Sequence, residues 1–140
     1  GNIMILYLNY EWNTGNVCIY TDHGKEYRPC RSISAFLNSR CQMEGSTLQG
    51  RREAFAKIMS ARKHIPILTS IRRKELFMPF GVCSSPDAIW INLEAVKYYH
   101  PKESQTCITF VNDASLTIPF RYSVVKRQVD RCRHYIDILD

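Results

Sequence analysis

The chain has 140 residues, room for one domain with a real hydrophobic core. Its 45% hydrophobic, 11% aromatic and 23% charged make-up excludes a disordered chain. No apolar run reaches the roughly 18 residues a membrane helix needs, and the first, IMILYL at 3–8, is too short for a signal core and follows no basic stretch. Nineteen Lys and Arg against thirteen Asp and Glu give a net charge of +6, which suits an anionic partner as readily as an ordinary basic surface.

In chain order, 3–8 and 16–21 read as strands around EWNTG, where Asn13, Thr14 and Gly15 signal a turn, and DHGK at 22–25 is a second turn. Ile33, Phe36, Leu37 and Cys41 recur at helical spacing behind Ser32, a candidate cap, and Gly45 is placed to end that helix. Ser46-Thr47-Leu48-Gln49 has the S-x-x-Q pattern of a capping box, which predicts a second helix with Leu48, Phe55, Ile58 and Met59 on its apolar side. ILTS at 67–70 and ELFMPF at 75–80 read as strands around the basic turn IRRK; DAIWIN at 87–92 and VKYYH at 96–100 read as two more. TCITFVN at 106–112 and SLTIPF at 115–120 flank Asn112, Asp113 and Ala114 as a hairpin, with the period-2 pattern of a sheet. From 123 to 139 the period becomes helical: Val125, Val129, Cys132 and Ile136 form one stripe, and Arg127, Arg131 and His134 a basic one. The expected fold is α+β, mostly antiparallel sheet, with short helices near 33–60 and a C-terminal helix near 123–138; Trp90, Phe110, Phe77 and Ile91 belong in the core. A single domain spanning 1–140 is expected, with no repeat, low-complexity tract or linker.

Six cysteines (Cys18, Cys30, Cys41, Cys83, Cys107 and Cys132) form no C-x-x-C pair and match no common zinc module. They read as reduced, mostly buried thiols, which places the protein in the cytoplasm. Catalytic signals are weak. The four histidines are dispersed, no serine sits in a G-x-S-x-G elbow, and Cys41 reads as packing rather than as a nucleophile. Gly45 and Gly50 have the separation of a nucleotide loop, but Arg51-Arg52 stands where Lys and Ser/Thr should follow.

Charge is concentrated. Residues 51–74 hold Arg51, Arg52, Lys57, Arg62, Lys63, Arg72, Arg73 and Lys74 against the single acid Glu53, and 121–133 add Arg121, Lys126, Arg127, Arg131 and Arg133 against Asp130. Phosphate neutralisation needs several cations on one surface, and a helix entrance with hydroxyls is a second anion-binding device. GSTLQGRR at 45–52 combines the two, so the stretch points to a nucleic-acid backbone rather than a nucleotide.

The order CQMEGSTLQGRREAF, HIPILTS, ELFMPFGVCSSPDAIWIN and CITFVNDASLTIPFRYS, followed by a helix, resembles the ComK family of bacterial competence transcription factors. Its members carry a similar C-x-F-x-G-[SN]-[ST]-x-x-G-[RK]-[RK]-A stretch, then K-P-P-I, F-[FL]-P-T and W-I segments and an F-x-N hairpin. Cys41, Gly45, Ser46, Thr47, Gly50, Arg51, Arg52, Pro66, Ile67, Phe77, Pro79, Ser84, Trp90, Ile91, Phe110 and Asn112 match. The likeness covers 39–136 well and the first 38 residues loosely. Lys-Pro-Pro becomes His64-Ile65-Pro66, Pro-Thr becomes Pro79-Phe80, and the family aromatic becomes Met43. The family's C-terminal tail, associated with activation and with capture by a proteolytic adaptor, is absent from the match. More faintly, 81–123 is similar to the second half of a LytTR-type DNA-binding domain, a likeness that puts Ser84, Ser85 and Arg121 on DNA-facing loops.

The resemblance implies a non-enzymatic, sequence-specific DNA-binding regulator of competence-type genes. It would work without cofactor or metal and bind AT-rich double-stranded DNA as a dimer or pair of dimers, with the minor groove as the family's route. Arginine suits that groove because its narrow AT form concentrates negative potential. Arg51, Arg52, Lys57, Arg72, Arg73, Lys74 and Arg121 are the expected contacts, with Ser46 and Thr47 orienting the backbone. The alternative is a short ComK-like interaction module or antagonist that binds a regulator or adaptor protein through Tyr98, Tyr99 and Phe80. A nucleic-acid enzyme using His100 or His134 has least support, since no carboxylate pair or metal cluster accompanies them.

Overall fold

A computed structural model describes residues 3–82 and 85–140. Nine strands, β1 (Ile5–Glu11), β2 (Asn16–Thr21), β3 (Gly24–Pro29), β4 (Ile67–Ser70), β5 (Glu75–Phe80), β6 (Ile89–Asn92), β7 (Val96–Lys102), β8 (Gln105–Phe110) and β9 (Ser115–Ile118), form two antiparallel sheets. The larger runs β3-β2-β1-β6-β5-β4 and the smaller β7-β8-β9. Among the described residues three α-helices, α1 (Ile33–Met43), α2 (Leu48–Met59) and α3 (Tyr122–Leu139), complete the expected α+β architecture. The strand that sequence periodicity does not reveal is β3: all six residues of GKEYRP are exposed, so no apolar alternation marks it, and it is held by pairing to β2.

Side-chain alternation divides the large sheet into two faces. Ile5, Leu8, Val17, Ile19, Ile67, Phe77 and Trp90 pack with Ile33, Phe36, Leu37 and Cys41 of α1. Leu6, Leu68, Leu76, Met78, Phe80 and Ile91 face the small sheet (Ile108, Phe110, Ile118) and the Val125, Val129, Cys132 and Tyr135 stripe of α3. A bulge between Ile5 and Tyr7 lets Leu6 and Tyr7 both serve the second face. The four expected core residues are buried: Phe77, Phe110, Ile91 and Trp90. Phe80 is buried as well, which corrects its assignment to an exposed interaction surface; it sits on the inward face of β5 against Phe120, whereas Tyr98 is exposed. Cys18, Cys41 and Cys132 are free and buried, Cys30 and Cys107 are free and half-buried, and Cys83 lies outside the described residues.

Helix α2 ties the two faces together. Leu48 at its start packs on the α1 side, while Phe55 is in the core on the α3 side and Met59 packs against that core. The helix therefore crosses the β4 edge and covers backbone that would otherwise be an open pairing template. Phe55 anchors it, edge-on to Tyr135 at 4.7 Å.

Candidate nucleic-acid interface

The site begins at the corner between α1 and α2. Ser32 caps α1 as expected, its hydroxyl accepting from Ala35 N–H at 3.0 Å. At the other end Gly45 N–H bonds to Gln42 carbonyl and Ser46 N–H to Cys41 carbonyl, the paired closure of a Schellman motif, with Gly45 at φ +76°. Ser46 thus ends α1 and does not open α2, a correction to the capping box read from Ser46 and Gln49. The N-cap is Thr47, whose hydroxyl accepts from Gly50 N–H at 3.0 Å. That shift makes the third helical residue Gly50, which has no side chain to reach back, and Gln49 donates to Glu53 instead. Gly50 also has a steric role, because a Cβ there would lie 3.1 Å from the capping oxygen.

The arginine doublet splits. Consecutive helix residues project about 100° apart, so Arg51 and Arg52 cannot face the same way. Arg51 is half-buried beside Cys41 and Tyr135, where its charge offsets the rise that burial imposes on both, and its Nε is buried with no hydrogen-bond partner. Arg52 is exposed, as is Lys57 five residues on.

The turn at 71–74 reaches the same corner. Ser70 donates to Glu44, and Arg72 Nε lies 3.3 Å from that carboxylate. The Ser70 hydroxyl, with Arg72 and Arg73, holds the Glu44 carboxyl below its ordinary range. Lys74, at φ +53°, pairs with Asp140 at 3.6 Å beyond the end of α3. Behind the turn, Arg40 forks onto Glu75 with two 2.8 Å bonds, and Glu75 also accepts from Thr69 at 2.6 Å. This buried pair fixes α1 to the β4–β5 hairpin and sets the distance from corner to turn.

Arg72, Arg73 and Lys74 of the 71–74 turn and Arg52 and Lys57 of α2, the helix packed on β4, are all exposed, with Arg52 and Lys57 projecting about 140° apart around the helix axis. Arg52, Lys57 and Arg73 have no carboxylate within salt-bridge distance among the described residues. Arg121 stands apart at the N-cap of α3, an 18-residue helix about 27 Å long, with Lys74 at the opposite end. Ser85 faces a cleft with Tyr10, Trp12 and Ser32 and accepts from Asp87 N–H at 3.2 Å, while Ser84 lies outside the described residues. Of the two hydroxyls at the corner, Thr47 is exposed and Ser46 half-buried.

The structure also gathers cations that sequence spacing leaves in separate segments. Gln128 Nε2 of α3 donates to His64 carbonyl at 2.9 Å, and Arg131 donates to Lys63 carbonyl at 2.9 Å and to His64 carbonyl. These bonds bring Arg62, Lys63 and His64 against Arg127 and Arg131. The i, i+4 spacing of Arg127 and Arg131 is legible in the sequence; their partner loop is not, because a buried glutamine decides it.

Among the described residues no helix is long and apolar enough to cross a membrane. Comparison with curated proteins and with solved structures returns no match. The family model described as ComK protein matches residues 3–140, so the likeness that sequence motifs show well only from 39 onward extends through the first three strands. The chain belongs to the ComK family of DNA-binding competence transcription factors.

Proposed function

We propose that the protein binds AT-rich duplex DNA through a cationic stripe along the β4 edge, made by Arg52 and Lys57 of α2 and Arg72, Arg73 and Lys74 of the 71–74 turn, and controls competence-type genes from the cytoplasm. The observation that carries this reading is the family match over residues 3–140, and the exposure of five cations on α2 and the 71–74 turn supports it. Arg52, Lys57, Arg72, Arg73 and Lys74 would neutralise phosphates, each contact releasing counterions. Arg52, an exposed arginine on the helix crossing that edge, is the candidate for insertion into a narrow AT minor groove. Thr47 would help orient the backbone, and Arg51 would position the helix rather than touch DNA, since its guanidinium is turned toward Cys41 and Tyr135. Arg121, Ser84 and Ser85 would make flanking contacts only where the duplex bends around the molecule.

Gel shifts with AT-rich and GC-rich duplexes of equal length, over a salt series, test the proposal. Tighter binding to the AT-rich duplex at every salt is expected, and the molar mass of the complex reads the dimer or pair of dimers that the family resemblance implies. Equal affinity for both duplexes would refute AT selectivity, and salt-insensitive absence of binding to either would refute the DNA reading.

A further inference from the structure

A groove of about 710 Å³ lies between α3 and the 60–64 connection, closed on its third side by the end of β5 and its continuation through Val82. Its volume is in the range of small-molecule sites, about 300–1,000 Å³. The walls are apolar: Phe80 and Phe120 meet at 5.9 Å between ring centroids, and Val82 and Val124 are 66% and 49% exposed at the mouth. The polar lining is cationic, with Lys63 and Arg127 exposed and Arg131 recessed. No Asp or Glu lines the groove, and none of these cations has a carboxylate within salt-bridge distance among the described residues.

The groove is preformed. Gln128 is buried and has both ends of its amide engaged: Nε2 donates to His64 carbonyl at 2.9 Å and to Pro79 carbonyl at 3.3 Å, and Oε1 accepts from Arg131. Ser60 and His64 are both left-handed, at φ 52°, a conformation that costs a non-glycine residue energy and persists only where surrounding contacts over-determine it. Gln128 and Arg131 supply those contacts at His64, and Ser60 is held as the C-cap of α2 with its N–H on Ala56 carbonyl. Burial also draws the Arg131 guanidinium below its ordinary value, as expected of a cation short of both solvent and a counter-charge. A rigid cavity of this kind loses little entropy when filled.

We propose that this groove binds an amphipathic organic anion, its apolar chain or ring lying on Val82, Phe120 and Val124 and its acidic head on Lys63 and Arg127. Charge complementarity selects an anion, and the concave apolar floor selects one with a hydrophobic body. A phosphodiester backbone offers the charge but nothing to fill the floor. The site shares no lining residue with the stripe along the β4 edge and stands whether or not that stripe binds DNA.

The test is displacement of 8-anilinonaphthalene-1-sulfonate fluorescence from the full chain by decanoate below its micelle concentration, beside 1-decanol (same chain, no charge) and acetate (charge, no chain). Decanoate is expected to displace the dye at concentrations at least tenfold lower than either control. Lys63→Gln with Arg127→Gln is expected to raise the decanoate requirement at least tenfold without changing the unfolding midpoint, and Val124→Asp to do so independently. Displacement by decanol equal to that by decanoate would overturn the proposal, as would decanoate displacement indifferent to both variants. Displacement by a short AT-rich duplex but not by decanoate, with the same dependence on Lys63 and Arg127, would overturn it in favour of a DNA surface.

Discussion

Replacing Arg52 and Arg73 together by alanine tests the stripe where its charge is least compensated. Both side chains are exposed, and neither has a carboxylate partner among the described residues, whereas Arg72 lies 3.3 Å from Glu44 and Lys74 3.6 Å from Asp140. Each phosphate contact contributes about 0.9 to the slope of log K against log salt, so losing both should lower its magnitude by about 1.8. Over a fourfold rise in salt, that difference amounts to about a twelvefold change in how far binding weakens. The Arg72→Ala, Lys74→Ala pair should lower the slope by less, because removing those cations leaves Glu44 and Asp140 uncompensated but forfeits charge that was already partly neutralised. Fluorescence anisotropy with an AT-rich duplex over a salt series, with circular dichroism as the folding control, measures both. An unchanged slope in a folded Arg52→Ala, Arg73→Ala variant would remove the stripe from the interface; a larger loss in the ion-paired variant would refute the argument from compensation.

Three further outcomes follow from the corner that builds the stripe. Arg40→Ala leaves the Glu75 carboxylate buried without its fork and should destabilise the fold by about 3–5 kcal/mol in urea unfolding; a loss under about 1 kcal/mol would mean the pair behaves as a surface ion pair. Thr47→Ala should cost about 1 kcal/mol through the lost cap, while Ser46→Ala should stay within about 0.5 kcal/mol, and a reversed order would restore Ser46 as the N-cap. Glu44 is held below its ordinary value of 4.5, chiefly by the Ser70 hydroxyl, so its stabilisation is complete above that pH and is lost as pH falls through the lower folded value. The urea midpoints of the native protein and Glu44→Gln should therefore converge as pH drops below about 4.5, and a constant gap would rule out titration of Glu44 as the cause.

Periodicity and turn chemistry by themselves determined most elements. The 3.6 spacing of Val125, Val129, Cys132 and Ile136 marks α3, the alternation around Ile108 and Phe110 marks β8, and Ser32 and Gly45 punctuate α1 where they stand. These are local signals, legible because burial and capping act on residues a few positions apart. The family was likewise legible, because its glycines, arginines and tryptophan keep their order along the chain.

What tertiary structure decided is where those residues end up. β3 has no pattern of its own and exists by pairing to β2. Thr47 rather than Ser46 caps α2 because the Thr47 hydroxyl is the one that reaches Gly50 N–H, while Ser46 N–H closes α1 on Cys41 carbonyl. The doublet Arg51-Arg52, adjacent in sequence, was divided into a half-buried and an exposed side chain by the rotation of a helix anchored at Phe55. Conversely, Arg72 meets Glu44 at the end of α1 although 28 residues separate them in the chain, because Ser70 bonds to the same carboxylate and the Arg40–Glu75 pair fixes the turn beside α1. Sequence spacing reports which charges exist; only the packing of α2 across the sheet edge, set by long-range burial, decides which of them share a surface.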